Sequence, residues 1–315
     1  MNFKLKNGVW PTMVTPFTNM GKIDWPGLEN LIEWYISKGV DGVFAVCQSS
    51  EMFYLTLQER VALSTFIVEK VCSRCGVIAS GHISDSIEDQ VQEINSMAAT
   101  GVEAVVMVAN RLAGQDEDEH VWIAQMEKIL RKITPEIPLG LYECPNPYKR
   151  VLTDLEIKWA AESGRFYFLK DTSCDSRVHK KRVDLCNNTP MKLYNANSAT
   201  LATSIEMGYN GFSGIMGNFH PELYSLLLKS IEKKIRYGDL FNFLGFSSII
   251  EHQAYPVNAK YYLSLEGVPI NLFSKSLNAD LLSESMKLEI KQFRDFSQGL
   301  IEKFSKDYMQ AIQNA

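Results

Sequence analysis

A lysine at the end of an apolar run has the most chemistry open to it in this chain. Phe166-Tyr167-Phe168-Leu169 leads straight into Lys170, and Asp171-Thr172-Ser173 follows. An amine carried into a water-poor site loses part of its affinity for a proton, because burial penalises the ammonium, and a neutral amine is the nucleophile that imine formation requires. The competing account is a lysine that snorkels from a strand end to pair with Asp171. Tyr142 closes a second apolar run. A phenol there can shuttle protons or hold a carbonyl oxygen, while a merely buried tyrosine needs one hydrogen-bond partner. A third run ends in Cys47-Gln48-Ser49-Ser50-Glu51, whose serine hydroxyls and amides can bind a carboxylate, although serines at such places also make turns. Lys170, Tyr142 and Ser49 are the candidate catalytic residues, and Gln48, Ser50 and Ser213 the candidate substrate contacts.

Other chemistries find little support. The five histidines are dispersed, without an HExxH pair, so no metal site is expected. Cys72 and Cys75 form a CxxC pair with no second pair or nearby histidine to complete a ligand set. Neither a GxSxG elbow nor a GxGxxG or GxxxxGK[ST] phosphate loop occurs.

These residues need elements to hold them, and the chain supplies a rhythm of short β-rich runs and longer helical segments. Eight strands are expected: Val9–Phe17, Gly42–Cys47, Gly76–Gly81, Ala104–Ala109, Ile137–Tyr142, Tyr167–Lys170, Lys192–Asn195 and Gly211–Met216. Helical patterns lie between them over Trp25–Ser37, Thr56–Val71, Ser86–Ala99, Glu117–Lys132, Thr153–Glu162 and Ala199–Met207. Ser86 and Thr153 read as helix caps, each with an acid three residues on, and Gly39, Gly101 and Gly208 as left-handed helix ends. Eight alternations predict an α/β fold, a (β/α)8 TIM barrel over residues 1–224, in which the candidate residues sit at the C-terminal strand ends where barrel active sites form. After about residue 224 strand signals cease. Helical segments at Leu223–Lys234, Phe241–Glu251 and Met286–Asn314 predict an all-helical extension over 225–315, its aromatic residues assigned to core and interface.

Composition sets the surroundings. The chain has 315 residues, 46% hydrophobic and 22% charged, with 32 basic against 37 acidic side chains. A net charge of −5 without a basic block argues against nucleic acid and anionic membrane as partners. Six scattered cysteines and an N-terminal segment without a signal-like apolar stretch lead to the expectation of a cytoplasmic protein.

The motifs also carry a resemblance. GVWPTMVTPF at residues 8–17, Gln48-Ser49-Ser50-Glu51, Tyr142-x-x-Pro145, Leu169-Lys170-Asp171-Thr172 and the late Pro256-to-Pro269 segment together resemble the dihydrodipicolinate synthase/N-acetylneuraminate lyase family, from about residue 7 to about 275. The resemblance implies a class I aldolase or lyase in which Lys170 condenses with the keto group of pyruvate or a 2-keto-3-deoxy acid, with no metal or organic cofactor. It implies that Tyr142 relays protons, that Ser49 is the second hydroxyl residue of a Gly-Ser/Thr-Thr-Gly-Glu loop, and that the protein is a homo-oligomer, a dimer or tetramer.

Three departures narrow this. Cys47 and Ser50 replace both glycines of the loop. Pro147 stands where the synthases place an arginine for the second substrate's carboxylate, leaving Lys149 and Arg150 as nearby cations. Val108-Ala109-Asn110-Arg111 lacks the tyrosine lent across a dimer interface. The expected activity is therefore lyase-like rather than that of a true synthase. A sugar-acid dehydratase with the same lysine, a keto-acid-binding homologue with impaired turnover, and an interaction protein on the same barrel stay open.

Overall fold

A computed structural model describes residues 5–134 and 136–313. Eight parallel strands alternate with helices around one core: β1 (Gly8–Val9), β2 (Gly42–Phe44), β3 (Gly76–Ala79), β4 (Ala104–Val108), β5 (Leu139–Tyr142), β6 (Phe166–Asp171), β7 (Lys192–Asn195) and β8 (Gly211–Phe212). They pair in the order β1-β8-β7-β6-β5-β4-β3-β2. The ring closes between β1 and β2, where the Met13 amide donates to the Phe44 carbonyl at 3.0 Å and the Phe44 amide to the Pro11 carbonyl at 2.9 Å. The expected barrel is thus present.

The first and last strands are shorter than expected. Pro11 and Pro16 have no N–H to give to a ladder, so the run from Val9 to Phe17 continues as extended chain with single bridges. Beyond Phe212 the chain turns at Gly214 into a 3₁₀ turn over Ile215–Asn218.

The barrel helices are α1 (Trp25–Ser37), α2 (Leu57–Val71), α3 (Ile87–Ala98), α4 (Glu119–Leu130), α5 (Asp154–Glu162), α6 (Ser176–Cys186), α7 (Leu201–Met207) and α8 (Pro221–Glu232). Ser86 and Thr153 do cap α3 and α5. Gly39, Gly101 and Gly208 all have positive φ, a conformation in which glycine has no Cβ to clash. The helix α6 is one that apolar periodicity does not announce, because its buried face carries His179 and Arg182 rather than aliphatic side chains. The boundary expected after residue 224 falls inside α8, which packs on β1 and α7 as the barrel's last helix. Beyond it lie α9 (Gly238–Ser247), α10 (Val257–Leu265) and the long α11 (Glu284–Gln313), packed on α8 and α10. Among the described residues no helix is long and apolar enough to cross a membrane.

The interior is plugged by rings. Phe168 stacks on Tyr194 with centroids 4.5 Å apart, while Trp10 and Phe44 meet Phe168 at 6.3 and 6.0 Å. Trp10 fits only because its neighbours on β2 and β3 are glycines. A Cβ at Gly42 or Gly76 would lie 2.3 Å from its ring. Gly42→Ala should therefore destabilise the protein by about 1–3 kcal/mol through overpacking, read as a lowered urea midpoint at unchanged slope. An unchanged midpoint would show that the indole can move aside.

Candidate active site

The alternation of side chains along a strand determines what β5 and β6 present to each side. Lys170 points inward above the aromatic plug, 4% exposed, its Nζ 4.4 Å from the centre of the Tyr142 ring and 5.9 Å from that of Phe44. The neighbouring residues Glu143 and Asp171 face the other way, fully buried behind the strands.

Arg182 of α6 meets both of these acids. Its Nη1 lies 2.5 Å from Asp171 Oδ2 and 3.2 Å from Glu143 Oε2, and its Nη2 makes a very short contact with Glu143 Oε1. The remaining acceptor capacity is also used. Glu143 accepts from the Leu152 and Thr172 amides, each at 2.8 Å, and Asp171 accepts from Tyr209 and from the Ser173 amide and hydroxyl. Burial alone would raise the Asp171 pKa, but Arg182 and these hydrogen bonds hold it below its ordinary value. The pairing of Lys170 with Asp171 that the sequence left open does not occur, because Asp171 is committed to Arg182 on the far side of the strand.

Lys170 consequently has no ion-pair partner among the described residues. Burial pushes its pKa below the ordinary 10.5, against an opposing pull from Cys47, Cys144 and Glu251. Tyr142 is pushed the opposite way, by burial and by the thiols of Cys144 and Cys47, so its phenol keeps its proton. The pair is an amine biased to be neutral beside a phenol biased to be an acid.

A cavity of about 370 Å³ opens over this pair at the C-terminal ends of the strands. Of the six candidates, Lys170, Tyr142, Gln48 and Ser49 line it. Gln48 lies over Tyr142, its Oε1 accepting from the phenol at 3.4 Å. Ser49 donates to Thr12 Oγ1 at 3.1 Å, close to the Tyr255 hydroxyl. The other two candidates do not line the cavity. Ser50 spends its hydroxyl within its own loop, accepting from the Cys47 amide and donating to the Cys47 carbonyl, both at 2.7 Å. The Ser213 hydroxyl is buried and without a partner among the described residues. Cys47, standing where the resemblance leads one to expect glycine, turns its sulfur down toward the Phe44 carbonyl at 3.6 Å and leaves the cavity clear.

Nearby substitutes for the synthases' arginine divide in the same way. Lys149 lines the cavity from its exposed rim. Arg150 is buried and held by Glu156 at 2.5 Å and by the Gly114 and Glu117 carbonyls. The turn after β4 has a structural task too: Asn110 Nδ2 donates to the Cys144, Asn146 and Tyr148 carbonyls and so holds the loop after β5.

The helical extension, whose aromatic residues the sequence assigned to core and interface, also lines the cavity, Tyr255 and Glu251 among its contributions. Tyr255 lines the cavity, its hydroxyl near Ser49 and Thr12 and accepting from Asn218 Nδ2 at 3.3 Å. Burial raises its pKa as well. It follows Ala254 in left-handed backbone (φ 51°), a conformation that costs a non-glycine residue roughly 1 kcal/mol and so marks a constrained position. Glu251 lines the cavity from the 3₁₀ turn over Ser248–His252. The available signal was the polar interruption Glu251-His252-Gln253 before Tyr255-Pro256, where helical periodicity breaks. Glu51 fixes this segment to the barrel, accepting from Lys260 Nζ and the Ser274 hydroxyl, each at 2.8 Å, and from the Lys275 and Ser276 amides.

A (β/α)8 barrel with an unpaired buried lysine at its mouth defines the class. The comparisons place the chain within it: residues 5–275 match the model of the dihydrodipicolinate synthetase family, and the chain belongs to that family. A curated relative, the 4-hydroxy-tetrahydrodipicolinate synthase of Shewanella sp. (strain ANA-3), is 27% identical over 228 residues, 70% of this chain and 73% of its own. Among solved structures, a dihydrodipicolinate synthase from Bacillus anthracis matches with a TM-score of 0.82 at 19% identity, covering 94% of this chain and 98% of its own. A prophage protein of the dihydrodipicolinic acid synthase family from E. coli K12, in complex with pyruvate, matches with a TM-score of 0.80 at 22% identity, covering 95% and 98%.

Replacing Arg182 by Met should leave two buried carboxylates without compensation, at a cost of about 3–5 kcal/mol. Both acids would then have raised folded-state pKa values, so the deficit is full above those raised values and shrinks as pH falls from them toward the ordinary carboxylate range. Urea melts at pH 8 and pH 5 check this, and an equal deficit at both would contradict the charge argument.

Proposed function

We propose that the protein is a Schiff-base-forming class I aldolase or lyase acting on pyruvate or a 2-keto-3-deoxy sugar acid, closer to N-acetylneuraminate lyase than to a true dihydrodipicolinate synthase. The observation that carries this reading is the unpaired, buried Lys170 amine stacked on the Tyr142 phenol. Lys170 Nζ attacks the keto carbon, and the resulting carbinolamine loses its hydroxyl as water when Tyr142 donates its proton. The phenolate left behind sits against the new iminium, which stabilises it. It then takes the proton of the C4 hydroxyl as the C3–C4 bond breaks, the electron pair flows into the iminium to give an enamine, and the aldehyde departs. Tyr142 next protonates the enamine at C3, and water hydrolyses the imine to pyruvate and the free amine.

Ser49, backed by Thr12 and Tyr255, receives the substrate carboxylate, where fixed hydroxyls and amides act at full strength in a site shielded from water. Ser50 supports the same loop from behind, since its amide already donates to the Cys47 carbonyl at 3.2 Å. The synthase reading is the weaker one: the arginine expected for a second carboxylate is Pro147, and Arg150 is unavailable to replace it. No metal or organic cofactor enters this scheme. Exposed Phe246 and Ile249 near α9, with Leu288 and Phe296 on α11, support a homo-oligomer.

Incubation with pyruvate and borohydride, followed by mass spectrometry, should place a reduced adduct on the peptide holding Lys170 and abolish it in Lys170→Arg. A panel of 2-keto-3-deoxy sugar acids should then release pyruvate. No adduct would end the Schiff-base reading, and an adduct without any cleavage would favour a binding protein. Tyr142→Phe should lower turnover by about 100- to 10,000-fold while the thermal midpoint stays within a few degrees; retained turnover would remove Tyr142 from the scheme.

A further inference from the structure

Two carboxylates line the cavity, and they differ in one respect. Glu51 is saturated by Lys260, Ser274 and two backbone amides. Glu251 is half-buried on the cavity wall, and among the described residues no hydrogen bond or ion pair holds it. Its electrostatic neighbours are His252 beside it and Lys170 across the cavity. A carboxylate withdrawn from water and left without a partner is costly, and such groups concentrate where a ligand supplies the missing donors.

The cavity floor is used by the keto-acid end of the substrate, at Lys170, Tyr142 and Ser49, so Glu251 faces what lies beyond the imine. Hydroxyl groups there would donate charge-assisted hydrogen bonds to it. A second carboxylate would meet like charge in a space of reduced dielectric. Lys149, the other cation of the lining besides Lys170, is exposed at the rim, where solvent and salt screen it.

We infer that Glu251 is the specificity residue for the second fragment, selecting a neutral polyhydroxylated aldehyde and rejecting one that carries its own carboxylate. This rests on the Schiff-base reading of the same site. Asn197 and Ser276 on the neighbouring walls add polar groups suited to further hydroxyls.

The test is the aldol direction, with pyruvate and either glyceraldehyde, erythrose or arabinose as neutral acceptors, or glyoxylate as the anionic one. The wild-type enzyme should prefer the neutral acceptors in kcat/KM. Glu251→Gln should raise kcat/KM for glyoxylate about 10-fold or more and lower it for the best neutral acceptor by about 10-fold, mainly through KM. Glu251→Asp should keep the wild-type order of preference. A wild-type preference for glyoxylate, or an unchanged ratio in a Glu251→Gln protein that melts like the wild type, would overturn the assignment. Absence of the borohydride adduct on wild-type Lys170 would instead overturn the reading beneath it, so the two failures are distinguishable.

Discussion

One buried guanidinium holds the ends of two strands, and the site depends on it. Arg182 binds Glu143 at the end of β5 and Asp171 at the end of β6, and the strand period of two sends Tyr142 and Lys170 to the opposite face. The two strand-end acids are thus kept on one side of the sheet, and the cavity side leaves Lys170 without an ion pair, with Glu251 acting on it only from across the cavity. Had Asp171 faced the cavity, it would have stabilised the ammonium of Lys170 and suppressed the nucleophile. The full hydrogen-bonding of both acids makes the triad tolerable in a dry setting, since a partly satisfied buried network is worse than an apolar one.

The second constraint comes from the far end of the chain. Barrel strands alone give a floor, with Lys170, Tyr142, Gln48 and Ser49 on it. The segment from Ser248 to Pro256 adds a wall bearing Tyr255 and Glu251, and Glu51 locks that wall to the loop after β2 through Lys260 and the 274–276 backbone. The helical extension is therefore part of the site's construction, although aromatic spacing alone pointed to packing.

Legibility in the sequence followed physical simplicity. Apolar runs that end in reactive side chains revealed Lys170, Tyr142 and the Gln48–Ser49 turn, because a parallel barrel strand is apolar throughout and its last residue stands out. Caps such as Ser86 and Thr153 were equally plain. The helix α6 was hidden because its buried face is polar, matched to acids distant in sequence. Ser50 looked like a substrate contact, but its hydroxyl closes its own turn, a choice that depends on backbone geometry within the loop. Tyr255 and Glu251 escaped notice because their approach to the barrel mouth depends on how a helical segment folds back. Family resemblance supplied the imine chemistry, while the geometry showed which neighbours leave the amine unpaired.

The central claim is that Lys170 is a nucleophile made by burial without an ion-pair partner. The pH dependence of the initial rate of borohydride-trapped adduct formation with pyruvate tests it most directly. A group whose pKa is depressed gains its neutral form as pH rises through the lowered value, so the rate should climb to a plateau with a midpoint below the 10.5 of an ordinary lysine, and the label should lie on Lys170. A midpoint at the ordinary value, or label scattered over surface lysines, would contradict the account.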